Sequence, residues 1–245
     1  MFPYDPVLLA AVQTPPESIA DAVRTMRTVQ ATCVDGDGLK WFNWLYLQVT
    51  EAVGARVASG GFNDPAWLAA LDVQFARLYF GALKTALSGG RAAGSWRAVF
   101  QRRNQTAIAR IQFALAGINA HINYDLPSAI VNTGVAPRHG DVRYNDYTAL
   151  NTTLNSLVES AKRTLHVRLL GDTLPPLTHL EDTIPAFSVR AAREAAWNNA
   201  QLLWELRNLP LARSAMLDGL DGMTTVIGKT LLAPVPFVDL VTAGL

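Results

Sequence analysis

Apolar positions recur along this chain at three- and four-residue spacing. Strict alternation of apolar and polar residues is nearly absent, so the pattern predicts helices and no sheet. Ile19, Val23, Met26 and Val29 mark an amphipathic helix that starts near Thr14 to Glu17 and ends near Cys33. Leu39 to Ala58 follows and is bulky on most sides, with Trp41, Phe42, Trp44, Leu45, Leu47 and Val49. Asn63-Asp64-Pro65 is a helix start, with Asp64 as cap and Pro65 in the first turn. That helix runs to about Leu87 and carries Leu68, Asp72, Phe75 and Tyr79 on one stripe. Ser95 is expected to cap a short helix ending at Arg102 to Asn104. The long apolar stretch ARIQFALAGINAHINYDLPSAIV, Ala109 to Val131, then reads as a central buried helix. Pro127 should end or kink it near Tyr124, because the proline ring clashes with the preceding turn.

Beyond a polar loop from Asn132 to Asn145, which holds His139, Asp146 to Val167 reads as another helix with His166 in its last turn. Ser188 or Asp182 opens the next, to about Asn208, with Arg190, Glu194, Trp197 and Gln201 aligned on one face. The C-terminal part predicts a short helix around Ser214 to Asp218 and an apolar one near Thr224 to Leu232, ended by Pro234 and Pro236. The expected fold is all-α, a single-domain bundle of roughly seven to nine helices around the buried central one. Its expected limits are an N-terminal arm over 1–15, a core over 16–236 and a tail over 237–245.

Composition narrows the function classes. Half of the 245 residues are hydrophobic and 17% are charged, enough apolar content for a sizeable core and too much for disorder. A formal charge of +1 does not favour a nucleic-acid partner. Cys33 is the only cysteine, which excludes an intrachain disulfide and any cysteine-rich metal site. The start MFPYDPVLLAAVQ has no basic region and is a poor signal peptide. Arg110, Gln112, Asn119, His121 and Asn123 interrupt the central apolar stretch, and Lys229, Pro234, Pro236 and Asp239 the C-terminal one. No membrane span is therefore expected. These points lead to a cytoplasmic protein. A homo-oligomer stays open, because periodicity does not show which Trp and Leu faces are exposed.

Two loops invite motifs and fail them. Asp35-Gly-Asp37-Gly resembles a calcium loop, but Tyr46 stands where that loop needs its glutamate, which leaves a turn or capping role. Ser88 to Gly94 is glycine-rich but lacks the lysine and hydroxyl residue of a phosphate loop. There is no G-x-S-x-G nucleophile elbow either.

The candidate chemistry sits on the central helix. His121 and Asp125 are four residues apart, hence on one face, and Ile118, Ala114 and Ile111 share it. Burying such groups is costly unless they pair, bond or bind something. Three readings follow. In the first, His121, Asp125, His179 and Glu181 hold one divalent ion (zinc, iron or manganese), with Asp72 as a further ligand or acid/base partner. In the second, Asp125 orients His121 as a general base, as in a hydrolase, isomerase or cyclase. A small, partly hydrophobic metabolite would lie in a pocket of Trp44, Phe75, Tyr79 and Trp197. Arg190 and Arg193 would be placed to reach a carboxylate or other anion on it. In the third, the pair is a satisfied core hydrogen bond in a binding or structural protein, and Asp72 bonds a tyrosine or tryptophan hydrogen. The gathering of His121, Asp125, Asp72 and the HLED run favours an enzyme.

The runs GLKWFNWLYLQVTEAV, DPAWLAALDVQFARLYF, FALAGINAHINYDLP, HLEDTI and REAAWNNAQLLW together resemble an actinobacterial family known only as a domain of unknown function (fifty-nine ninety-five). The resemblance extends from about Asp37 to Pro236 and implies a single helical domain. It implies no activity and supplies no set of site residues.

Overall fold

The computed structural model describes residues 2–165 and 188–234. Among them every regular element is helical and none is a strand. In chain order they are α1 (Asp5–Ala11), α2 (Ile19–Thr32), α3 (Leu39–Ala58), α4 (Pro65–Leu87) and α5 (Gly94–Phe100). A long rod follows, made of α6 (Arg110–Ala120), a π-helical turn (His121–Asp125) and α7 (Leu126–Asn132). Then come α8 (Val142–Ala149), α9 (Asn151–Thr164), α10 (Val189–Glu205) and α11 (Pro210–Leu231).

Local chemistry fixes most starts. Ser18 and Asp21 exchange side-chain and backbone bonds, both 3.1 Å, in a reciprocal cap of α2. Asp64 accepts from Trp67 N at 3.0 Å ahead of Pro65, as its sequence predicts. Asp37 accepts from Leu39 N at 3.0 Å, which confirms the capping role of the aspartate loop. Ser188 caps α10 through Ala191 N.

The elements differ from the sequence reading in four places. Ser95 does not cap α5 but is its second residue, since the helix starts at Gly94 with Ala93 in the cap position, and it ends at Phe100, short of Arg102. The N-terminal arm contains α1, whose Leu8 is fully buried. The expected helix from Asp146 is two helices that meet at Leu150. Asp141 caps the first of them, while Asp146 turns away to accept from Asn63 N and Asp64 N. The two C-terminal helices are one, α11. Gly219 and Gly222 do not interrupt it, and α6 bonds to its C-terminal half: Asn119 Nδ2 donates to Thr224 O at 2.9 Å, and Gln112 Nε2 to Leu231 O at 2.8 Å.

Residues Ile111 to Ala120 are all buried, so α6 is the central helix that the pattern predicts, enclosed by α3, α5 and α11. One contiguous set of buried apolar side chains runs from Leu8 to Leu232. No described helix is long and apolar enough to cross a membrane.

Gly117 sets how close α3 and α6 come. A Cβ there would lie 2.3 Å from the Phe42 ring. Gly117→Ala should therefore destabilise the fold by about 1–3 kcal/mol, the usual cost of overpacking a dense core. Chemical denaturation checks this. Loss of less than half a kilocalorie would mean that the helices slide apart freely.

Candidate functional site

The site grows from the irregular turn in the central rod. Leu126 N donates to His121 O, five residues back, which defines the π turn. Pro127 follows directly and has no N–H to give to a regular α ladder. The chain thus answers Pro127 with a widened turn rather than a break, and π turns of this kind are frequent at functional sites.

Within the turn, His121 Nδ1 lies 2.9 Å from Asp125 Oδ2. The same oxygen accepts from Trp96 Nε1 of α5, also at 2.9 Å. With Asp125 as the carboxylate, the hydrogen of the first bond sits on His121 Nδ1, which leaves Nε2 with its lone pair. Nε2 is buried and has no partner among the described residues. Burial holds the His121 pKa well below the ordinary imidazole value. Burial also lifts Asp125 above the carboxylate range, and the Trp96 bond partly offsets that.

Aromatic rings pack around the imidazole. Phe75 lies parallel to it with centroids 3.3 Å apart, and Tyr46 meets it edge-on at 4.4 Å. Phe42, Trp96 and Tyr79 stand between 5.7 and 6.2 Å. Rings at these positions exclude water and disfavour the imidazolium.

His121 forms part of the wall of a cavity of about 70 Å³. The rest of the wall is mostly aliphatic and aromatic, including Leu45, Val49, Leu68, Phe75, Leu154 and Val158. Among the described residues of the wall, Asp72 and Arg193 are the acidic and the basic side chain. Asp72 does not bond a tyrosine or tryptophan hydrogen: its Oδ2 is buried without a donor among the described residues. Burial alone raises its pKa to about 7. Tyr46 Oη, also on the wall, likewise lacks a partner of hydrogen-bonding geometry among them.

The structure thus brings His121, Asp125 and Asp72 into one neighbourhood. Phe75 lines the cavity, whereas Trp44, Tyr79, Trp197 and Arg190 do not. Trp44 is half-buried against the core, and Tyr79 lies behind the imidazole. Trp197 sits in a second aromatic group with Trp67, Tyr144 and Tyr147, and Arg190 is exposed. His139 is partly exposed and bonds Asn198. His166, His179 and Glu181 lie outside the described residues. Among the described residues no three metal-binding side chains gather. Sequence reasoning missed Trp96 as the second donor to Asp125. The two are 29 positions apart, and no local pattern links them.

Comparison with known proteins adds one finding. A family model described as "Family of unknown function (DUF5995)" matches residues 19–234. No curated protein and no solved structure matches the chain.

Proposed function

The chain belongs to this family of unknown function, and we propose from the site itself that the protein is an enzyme performing general acid–base chemistry on a small, largely apolar metabolite. One observation carries the reading. A buried histidine and a buried carboxyl group share an apolar cavity, and among the described residues neither His121 Nε2 nor Asp72 Oδ2 has a hydrogen-bond partner. Burial pushes the two pKa values in opposite directions, which keeps His121 in its unprotonated form near neutral pH and keeps a share of Asp72 protonated there. Asp125 and Trp96 fix the tautomer and aim of the ring. A structural pair would have no need of a free Nε2, because leaving a buried polar atom unpaired costs about 1–3 kcal/mol.

In this reading His121 Nε2 removes a proton from the substrate, or from water attacking it. Asp72 returns a proton to the oxygen that gains charge. The aliphatic wall holds the substrate body and keeps bulk water out. The test is turnover of short aliphatic esters and ketones in D2O, followed by proton NMR. Ester cleavage or exchange of α-protons is expected. His121→Gln should lower the rate about 10²–10⁴-fold, the usual contribution of a positioned base. Turnover that survives His121→Gln rejects the assignment. So does an imidazole that protonates near its ordinary pKa in histidine-selective NMR.

A second reading has its own support. A histidine whose Nδ1 donates to a carboxylate is also the arrangement of an oriented metal ligand. A zinc, iron or manganese ion on Nε2 would supply Lewis-acid chemistry in the same cavity. Elemental analysis of purified protein beside His121→Gln separates the two. Near-stoichiometric metal that is lost in the variant supports the ion, and metal that is unaffected by it does not.

A further inference from the structure

Arg193 of α10 is 5% exposed and lines the same cavity. Among the described residues its charge is met by neutral groups only. Nε donates to Asn151 Oδ1 at 2.8 Å and Nη2 to Tyr147 O at 2.7 Å. Its guanidinium carbon lies 3.9 Å from the centre of the Tyr147 ring. No carboxylate among the described residues forms an ion pair with it, and Asp72, on the same wall, is not within pairing distance. Nη1 has no acceptor among the described residues.

Such a group is expensive. A buried cation without a counter-charge loses its hydration and regains little from neutral acceptors. Burial accordingly pulls the Arg193 pKa down. Arg193 is nevertheless held firmly. Two bonds and a stacked ring fix the guanidinium, and the Tyr147 hydroxyl donates to Arg193 O at 2.6 Å. A rigid, desolvated guanidinium facing an apolar cavity matches a ligand that brings its own anion.

We propose that the ligand of this cavity is a slender monocarboxylate, with its carboxylate on Arg193 and its apolar chain along the Leu154, Val158 and Leu68 wall toward His121. The inference rests on the reading of the cavity as the substrate site and names the substrate class. The small volume and aliphatic lining suit an alkyl chain better than a polar or branched body. The one positive charge that Arg193 brings to the wall suits one carboxylate better than a phosphate, which would bring a second negative charge.

The test is calorimetric binding of hexanoate, hexanamide and 1-hexanol to the full chain at pH 7. Hexanoate should bind about tenfold or more tighter than hexanamide, since hydrogen bonds between two charged groups are stronger than those to a neutral one. Arg193→Gln should remove that preference, and Arg193→Lys should keep part of it, with circular dichroism confirming that both variants fold. The comparison within the wild type stands even if a variant does not fold. Equal binding of hexanoate and hexanamide would overturn the carboxylate assignment and leave the cavity reading intact. If none of the three compounds binds, both readings fall.

Discussion

Asp72→Asn should make the protein more stable at pH 8 and leave its stability nearly unchanged at pH 4. The Asp72 pKa is raised by burial to about 7, against an unfolded value of about 3.9. Below pH 4 the carboxyl is protonated in both states and contributes nothing. Between about pH 4 and pH 7 the folded state holds a proton that the unfolded state has released, so stability falls as pH rises. Above pH 7 the full cost is present and constant. Three pKa units correspond to about 4 kcal/mol, which the neutral amide removes. For a chain of this size that is a rise of roughly 10 °C in melting temperature at pH 8. Paired melts of wild type and variant at pH 4, 6 and 8 isolate the group, because all other titrations cancel. A difference that does not change with pH would show that Asp72 is not the buried, unpaired group described. A stabilised but inactive variant would tie the cost of burying Asp72 to its proposed role as proton donor.

Arg103→Met should cost about 3–5 kcal/mol, a large part of the 5–15 kcal/mol that a domain typically has. Arg103 is 8% exposed and forms ion pairs with two carboxylates, Asp37 and Asp5, the latter at 3.0 Å. Asp37 is fully buried and also accepts from Tyr4 Oη at 2.9 Å. The cluster fastens α1 and the turn before α3 to the segment that follows α5. Removing the guanidinium leaves two buried negative charges facing each other. Adding Asp37→Leu to Arg103→Met should recover a substantial part of the loss, because the damage lies in the orphaned charge more than in the missing bond. Urea unfolding at pH 7 measures both variants. A loss below 1 kcal/mol in the single variant would mean that water reaches the cluster.

The ease of reading each feature from the sequence follows the distance over which its cause acts. Asp64-Pro65 starts α4, and the apolar run opens α3 at Leu39, because caps and periodicity work within a few residues. The His121–Asp125 contact was equally legible, since a spacing of four on a helix already places the two side chains together. Pro127 signalled a disturbance but not its form. Whether a helix kinks or widens depends on what packs around it, here Phe75 and Trp96 from other helices. Trp197 and Tyr79 were legible as core but not as belonging to different clusters, because face assignments on separate helices carry no information on which faces meet. The isolation of the Arg193 charge is likewise a tertiary property. It depends on Tyr147 and Asn151, which lie more than forty positions earlier in the chain.

The π turn also makes the length of this segment matter as much as its composition. It holds one residue more than the α-helical turn that it replaces. Deleting any one of Ile122, Asn123 or Tyr124 would keep His121, Asp125 and Pro127 in the sequence and would keep the segment helical in propensity. It would also return the turn to α-helical length, so that Leu126 and Ile130 would keep the faces that α7 now turns to α4 and α10, while His121 and Asp125 would stand three residues apart instead of four. At this point of the chain the additional position serves the turn and not the rod: losing it would leave the two halves in phase and undo only the local geometry that sets the histidine against the aspartate.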